Sequence, residues 1–137
     1  MKTVFLDTSG WLAALSPREQ RHQPAYAAYR RWLENGVPLV TTNLVVAEMH
    51  ILVTRARGVA HGLRFLDSLH QDANHDVVFV DQDLELAAIN RWLRPYAEHS
   101  ISLADAVSFE VMRQRRVRQA LSLDHHFVVA GFETIPE

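Results

Sequence analysis

The sequence predicts an α/β domain in which a central parallel sheet of about four to five strands is sandwiched by helices. Two short, unbroken apolar runs, Val4-Phe5-Leu6 and Val77-Val78-Phe79-Val80, read as strands buried on both faces. Between such runs lie segments whose apolar residues recur at helical spacing, and strands separated by helices pair in parallel. At 137 residues the chain supports one domain, residues 1–137, with a single core. It carries no internal repeat, low-complexity run or linker.

After the first strand, Thr8 to Leu15 reads as a short helix ended by Ser16-Pro17, and the polar stretch Arg18 to Pro24 as a mobile connection. Ala25, Tyr26, Tyr29, Trp32 and Leu33 then mark a helix stopped by Asn35-Gly36. Pro38-Leu39-Val40-Thr41 is a short strand. Thr42 or Asn43 can cap the next helix, which carries Leu44, Val45, Ala47, Glu48, Ile51 and Leu52 to about Gly58. Val59 to about His70 is a further helix, with Leu63, Phe65, Leu66 and Leu69 as its apolar set.

Val77 to Val80 is the third strand, after which Asp81 or Asp83 caps a helix holding Leu84, Ala87, Ala88, Trp92 and Leu93 and closing towards Pro95. Ser102 opens a helix from Leu103 to about Arg116. Gln119 to Leu123 is a fourth strand leading to Asp124, and Phe132 to Ile135 a small last one.

Composition narrows the chemistry. Hydrophobic residues make up 48% and charged residues 22%, the balance of a globular chain. The absence of cysteine excludes a disulfide scaffold and Cys-ligated zinc, and suits a reducing cytoplasm. Met1-Lys2 leads straight into a strand with no signal-peptide pattern, and no apolar stretch is long enough to span a bilayer. A net charge of -2 argues against binding nucleic acid by bulk charge. Eight histidines are plentiful but fall into no metal motif, since Glu48-Met49-His50 is not H-E-x-x-H.

Four acids are candidates for one site: Asp7, Glu48, Asp105 and Asp124. Asp7 and Asp124 end strands, where ligands of open α/β sheets bind. Asp7 also stands where a helix cap would, and Ser102-Leu103-Ala104-Asp105 has the form of a capping box. Glu48 lies among Val45, Val46, Ala47 and Ile51, where an isolated charge is costly to desolvate. It is therefore either bound to something or paired with Arg55 or Arg57 on the surface. Asp81 ends a buried-type strand as well, and chemistry alone does not rank it below Asp124. Carboxylates converging without cysteine or ordered histidine suit a hard cation, Mg²⁺ or Mn²⁺.

Phe5-Leu6-Asp7-Thr8-Ser9, Thr42-Asn43-Leu44-Val45-Val46-Ala47-Glu48, Ser102-Leu103-Ala104-Asp105-Ala106 and Leu121-Ser122-Leu123-Asp124-His125-His126-Phe127 occur in that order. Together they resemble the four motifs of the PIN-domain ribonucleases, in particular the VapC-type toxins of prokaryotic toxin–antitoxin modules, over essentially the whole chain. The resemblance implies a metal-dependent endoribonuclease in which Asp7, Glu48, Asp105 and Asp124 hold Mg²⁺ (or Mn²⁺), with Thr8, Ser9 and Ser122 as supporting hydroxyls. Asp81 then falls outside the site and is a helix cap. Ser122 stands where the family more often has Thr, and His125-His126 replaces a more basic or polar pair.

It also implies an RNA substrate, a cognate antitoxin, a homodimer and a cytoplasmic location. Arg113, Arg115 and Arg116 either form a solvated face complementing a helix end or touch RNA phosphates. Tyr26, Tyr29, Trp32 and Leu33, with Ile51, Leu52, Leu63 and Leu66, form the apolar surface expected to meet partners. Trp11, Trp32 and Trp92 read as packing, and His125 and His126 as local surface residues. Two rivals are a non-catalytic PIN-like interaction module, which often lacks the acids, and an aspartyl phosphotransferase. The second needs an acid two residues after Asp7, where Ser9 stands.

Overall fold

The computed structural model describes residues 2–137. Strand β1 (Val4–Leu6) leads through the single residue Asp7 into α1 (Thr8–Leu15), followed by α2 (His22–Glu34), β2 (Leu39–Thr42), α3 (Asn43–Arg57) and α4 (Val59–Gln71). Next come β3 (His75–Val78), α5 (Gln82–Ala88), which continues as a π turn over Ile89–Leu93, and a 3-10 turn at Ala97–His99. The chain closes with α6 (Leu103–Arg115), β4 (Gln119–Leu121), α7 (His125–Val129) and β5 (Glu133–Ile135).

The five strands pair in the order β3-β2-β1-β4-β5, every neighbour parallel. β1 is central, with Phe5 opposite Val40 on one side and Ala120 on the other. Its three residues are essentially inaccessible, as the unbroken apolar run requires. Helices cover both faces. Phe109 of α6 and Phe127 of α7 meet edge to face at 4.8 Å, and Phe127 lies 6.4 Å from Phe5, so α7 is pinned to the central strand. Trp11, Trp32 and Trp92 are all buried.

The third strand is displaced from its expected place. It runs over His75–Val78, because four residues, His75 to Val78, pair with Leu39 to Thr42 and exhaust the length of β2. Phe79 is left 68% exposed, and the Val80 amide leaves the sheet to bond Asn43 Oδ1 at 2.9 Å. The connection after α1 is shorter than expected. α2 begins at His22, whose Nδ1 bonds the Ala13 carbonyl at 2.8 Å, and Pro24 is tolerated in the first helical turn. β4 stops at Leu121 rather than Leu123, and the five-residue α7 follows.

Gly10 sets how closely α1 approaches β4. A Cβ at this position would overlap the Leu121 backbone carbon and oxygen, so only glycine allows the contact. The first turn of α1 is thereby held over the end of β4.

Candidate active site

In this strand order the chain moves outward from β1 through β2 to β3, then returns to β1's other side with β4. That reversal makes the gap between the carboxyl ends of β1 and β4 the topological switch point, where open α/β sheets bind ligands. Asp7 follows β1 there, and Ser122-Leu123-Asp124 follows β4.

Asp7 occupies the N-cap position of α1 yet makes no side-chain capping bond. Its backbone is fixed from both neighbours: the Asp7 amide donates to the Leu121 carbonyl at 3.1 Å, and Thr41 Oγ1 donates to the Leu6 carbonyl at 2.8 Å. Its carboxylate takes both nearby hydroxyls on one oxygen, Oδ2: Ser9 Oγ at 2.9 Å and Ser122 Oγ at 2.8 Å. Each hydroxyl in turn accepts a backbone amide of the β4–α7 loop, Leu123 N on Ser9 at 2.8 Å and Asp124 N on Ser122 at 3.0 Å. Both protons are committed to Asp7, so the serines act as clamps rather than nucleophiles. Burial raises the Asp7 carboxyl above its ordinary range; Ser122 and Ser9 oppose that shift and the Asp124 charge adds to it.

Asp105 comes to the same pocket from the first turn of α6, where Ser102 Oγ accepts its amide at 3.1 Å. Ser102 therefore makes the N-cap bond, and the Asp105 carboxylate, 16% exposed, is left facing the pocket. Burial, then the charges of Asp124 and Asp7, push its carboxyl from 3.8 up to about 7. Asp124 caps α7, its Oδ1 accepting the His126 amide at 2.9 Å. The three aspartates thus form one interacting group.

The structure leaves Glu48 apart from this trio. On α3, Val45, Val46 and Met49 face the core while Ala47 and Glu48 are exposed, so its apolar sequence neighbours do not bury it. It makes no ion pair with Arg55 or Arg57 among the described residues. α3, which carries Glu48, starts directly after β2. Thr8 is half-buried and forms no side-chain hydrogen bond among the described residues, whereas Ser9 and Ser122 both donate to Asp7. Asp81 caps α5 through the Leu84 amide at 2.9 Å, as expected.

The basic run sits at the other end of α6, about 15 Å along the helix from Asp105 at 1.5 Å per residue. Arg113 bonds Glu110 through Nε at 3.1 Å and Nη2 at 2.8 Å, and Arg115 pairs with Asp76. Arg116 is exposed and ends the helix in the left-handed conformation. Glu110 is fully buried, accepting also from Trp92 Nε1 at 3.1 Å and Gln114 Nε2 at 2.9 Å. Burial would raise its carboxyl, but the bonds from Arg113, Gln114 and Trp92 outweigh this and hold it low.

Sequence reasoning missed two residues. Gly10 carried no signal beyond its place after Ser9. His126 was read as a surface residue, yet its Nδ1 lies 3.3 Å from Asp124 Oδ1 and 3.8 Å from Asp105 Oδ2, while His125 is exposed. The available clue was the Asp124-x-His126 spacing across a helix start.

The donor set fits a hard divalent cation. Carboxylates from β1, β4 and α6 converge, and among the described residues no lysine or arginine pairs with any of them. Asp105, Asp124 and His126 each offer an atom within 4.8 Å of the others'. Such a cluster is self-repelling until a cation or protons neutralise it.

Comparison with known proteins gives the family and the fold. The family model of the PIN domain matches residues 4–133. The chain is 34% identical over 139 aligned positions to the 23S rRNA-specific endonuclease VapC20 of Mycobacterium tuberculosis, covering 98% of this chain and 99% of that one. The crystal structure of that sarcin-ricin loop cleaving toxin superposes with a TM-score of 0.79 at 32% identity, covering 94% of this chain and 95% of the other. FitAcB from Neisseria gonorrhoeae, at 20% identity and a TM-score of 0.67 over 96% of this chain and 95% of that one, shares the fold.

Proposed function

Because the chain belongs to the PIN-domain family, we propose that it is a metal-dependent endoribonuclease, the toxin of a type II toxin–antitoxin pair, acting on ribosomal RNA in the cytoplasm. One observation carries the reading: Asp7, Asp105 and Asp124 meet at the switch point of a chain 34% identical to a 23S rRNA-specific endonuclease.

A phosphodiester is an anion, and three carboxylates alone would repel it. Asp7, Asp105 and Asp124 would hold Mg²⁺ or Mn²⁺, with Glu48 of α3 as a fourth acid. When bound, the cation polarises the phosphoryl oxygen and makes a water nucleophilic at neutral pH. The chain supplies position. Ser9 and Ser122 fix one oxygen of Asp7 and leave the other free of both hydroxyls. The capping bonds of Ser102 and Asp124 set the directions of α6 and α7.

The antitoxin reading rests on a groove of about 520 Å³ between α1–α2 and α3–α4. Leu12, Leu15, Leu33, Leu52 and Phe65 line it, along with Trp11, whose indole N–H is buried without a hydrogen-bond partner among the described residues. An amphipathic antitoxin segment would lie there and extend a basic side chain towards the acids. Tyr29, Leu33 and Leu52 of the expected apolar surface line this groove, whereas Trp32 belongs to the core. Ile51 and Leu63 stay exposed on α3 and α4 and form the proposed homodimer contact. No helix among the described residues is long and apolar enough to cross a membrane.

The test is to incubate the purified protein with intact ribosomes and with free 23S rRNA, then map new RNA ends. A discrete cut that disappears when the neighbour-encoded antitoxin is added supports the reading. Intact RNA under every metal condition rejects it.

A further inference from the structure

We propose that His126 is itself a ligand of the metal centre, through Nδ1, and that its nitrogen shifts the centre's preference from Mg²⁺ towards Mn²⁺. This rests on the reading of the three-aspartate pocket as a metal site, and adds a donor of a different chemical kind. His126 stands in the first turn of α7, where its own amide bonds Asp124 Oδ1 at 2.9 Å. The next residue, Phe127, is fully buried against Phe109 and Phe5, so the helix that aims the imidazole is anchored in the core.

The Nδ1 atom sits 3.3 Å from Asp124 Oδ1 and 3.8 Å from Asp105 Oδ2. It makes no aligned hydrogen bond to either, the only hydrogen bond between His126 and these acids being that from its backbone amide. Three potential ligand atoms, one each from Asp105, Asp124 and His126, lie within 4.8 Å of one another, an arrangement that suits a shared ion. Neighbouring ligands about 2.1 Å from an octahedral ion stand roughly 3 Å apart; the separation from Asp124 is near this at 3.3 Å, and the one from Asp105, at 3.8 Å, would shorten by a side-chain adjustment on binding. Mg²⁺ favours all-oxygen surroundings and releases water reluctantly. Manganese accepts carboxylate and binds nitrogen more readily, in keeping with the order of divalent affinities.

The full chain, stripped with chelator, is titrated with Mn²⁺ while the free ion is followed by electron paramagnetic resonance. The bound ion is then examined by pulsed methods for coupling to ¹⁴N. The wild-type protein should show histidine nitrogen coupling that is absent from both His126→Gln and His126→Ala, with metal-free thermal melts showing each variant folded. Mn²⁺ affinity should fall by about tenfold or more, a loss that even outer partners of a metal site cause, and Mg²⁺ affinity by clearly less. Bound Mn²⁺ without nitrogen coupling in the wild type, or with coupling that persists in both variants, overturns the role of His126 and leaves the acidic centre standing. No Mn²⁺ binding in any form overturns both.

Discussion

Ser122 Oγ donates to Asp7 Oδ2 at 2.8 Å, joining residues 115 positions apart in the chain. The same hydroxyl accepts the Asp124 amide at 3.0 Å, so one atom ties the acid after β1 to the acid after β4. Ser122→Ala removes the donor and leaves a buried carboxylate short of one partner. The expected cost is about 1–3 kcal/mol of stability, with loss of RNA cleavage. Ser122→Thr keeps the hydroxyl and should keep both. Denaturant melts and cleavage assays on the two variants check this; equal behaviour of Ala and Thr would show the bond to be idle.

Gly10→Ala tests the approach of α1 to β4. The added methyl meets the Leu121 backbone, which cannot rotate away as a side chain could. The structure must open by shifting the turn that carries Ser9, at an expected cost of about 1–3 kcal/mol or more. Cleavage should fall with it, because Ser9 orients Asp7. Denaturant unfolding midpoints give the first number, and a wild-type midpoint would contradict the packing.

The raised carboxyls predict a pH dependence opposite to that of an ion-paired acid. Asp105 is lifted from 3.8 to about 7, so between those values the folded state holds a proton that the unfolded chain has released. Its contribution is therefore greatest in acid and is lost as pH rises towards 7. Metal-free protein should melt lower as pH climbs from about 5 to about 8, and Asp105→Asn should flatten that slope. Saturating divalent metal should raise the melting temperature most at the alkaline end, where the carboxylates are free to bind it. A metal-free stability that rises over this range would refute the account of the pocket.

Much of the fold was legible because burial writes itself plainly into short strands. Val4-Phe5-Leu6 could only be an inner strand, and Asp7 had to emerge at its end. Ser102 and Asp81 were readable as caps, since a hydroxyl or carboxylate just before an apolar periodic stretch has few other uses. What the residues hid depends on tertiary contact. β3 starts earlier than its most apolar run because β2 sets the register. The five residues of α7 are too few to show a period, so the turn that aims His126 was invisible. Glu48 looked buried beside apolar neighbours, but successive helical residues diverge in direction and it lies on the exposed side. Asp7, Glu48, Asp105 and Asp124 stand out in the sequence as candidate acids, and resemblance to a family joins them in one site; the strand order supplies the physical reason that Asp7 and Asp124 meet.

RNA cleavage by chelator-stripped protein, followed as Mg²⁺ or Mn²⁺ is restored, tests the central claim most directly. The account predicts no cleavage without metal and recovery with it. Asp7→Asn and Asp105→Asn should remain folded, melt no lower than wild type without metal, and cleave about a hundredfold more slowly or worse. Cleavage at an undiminished rate in chelator, or wild-type rates from either variant, would contradict it.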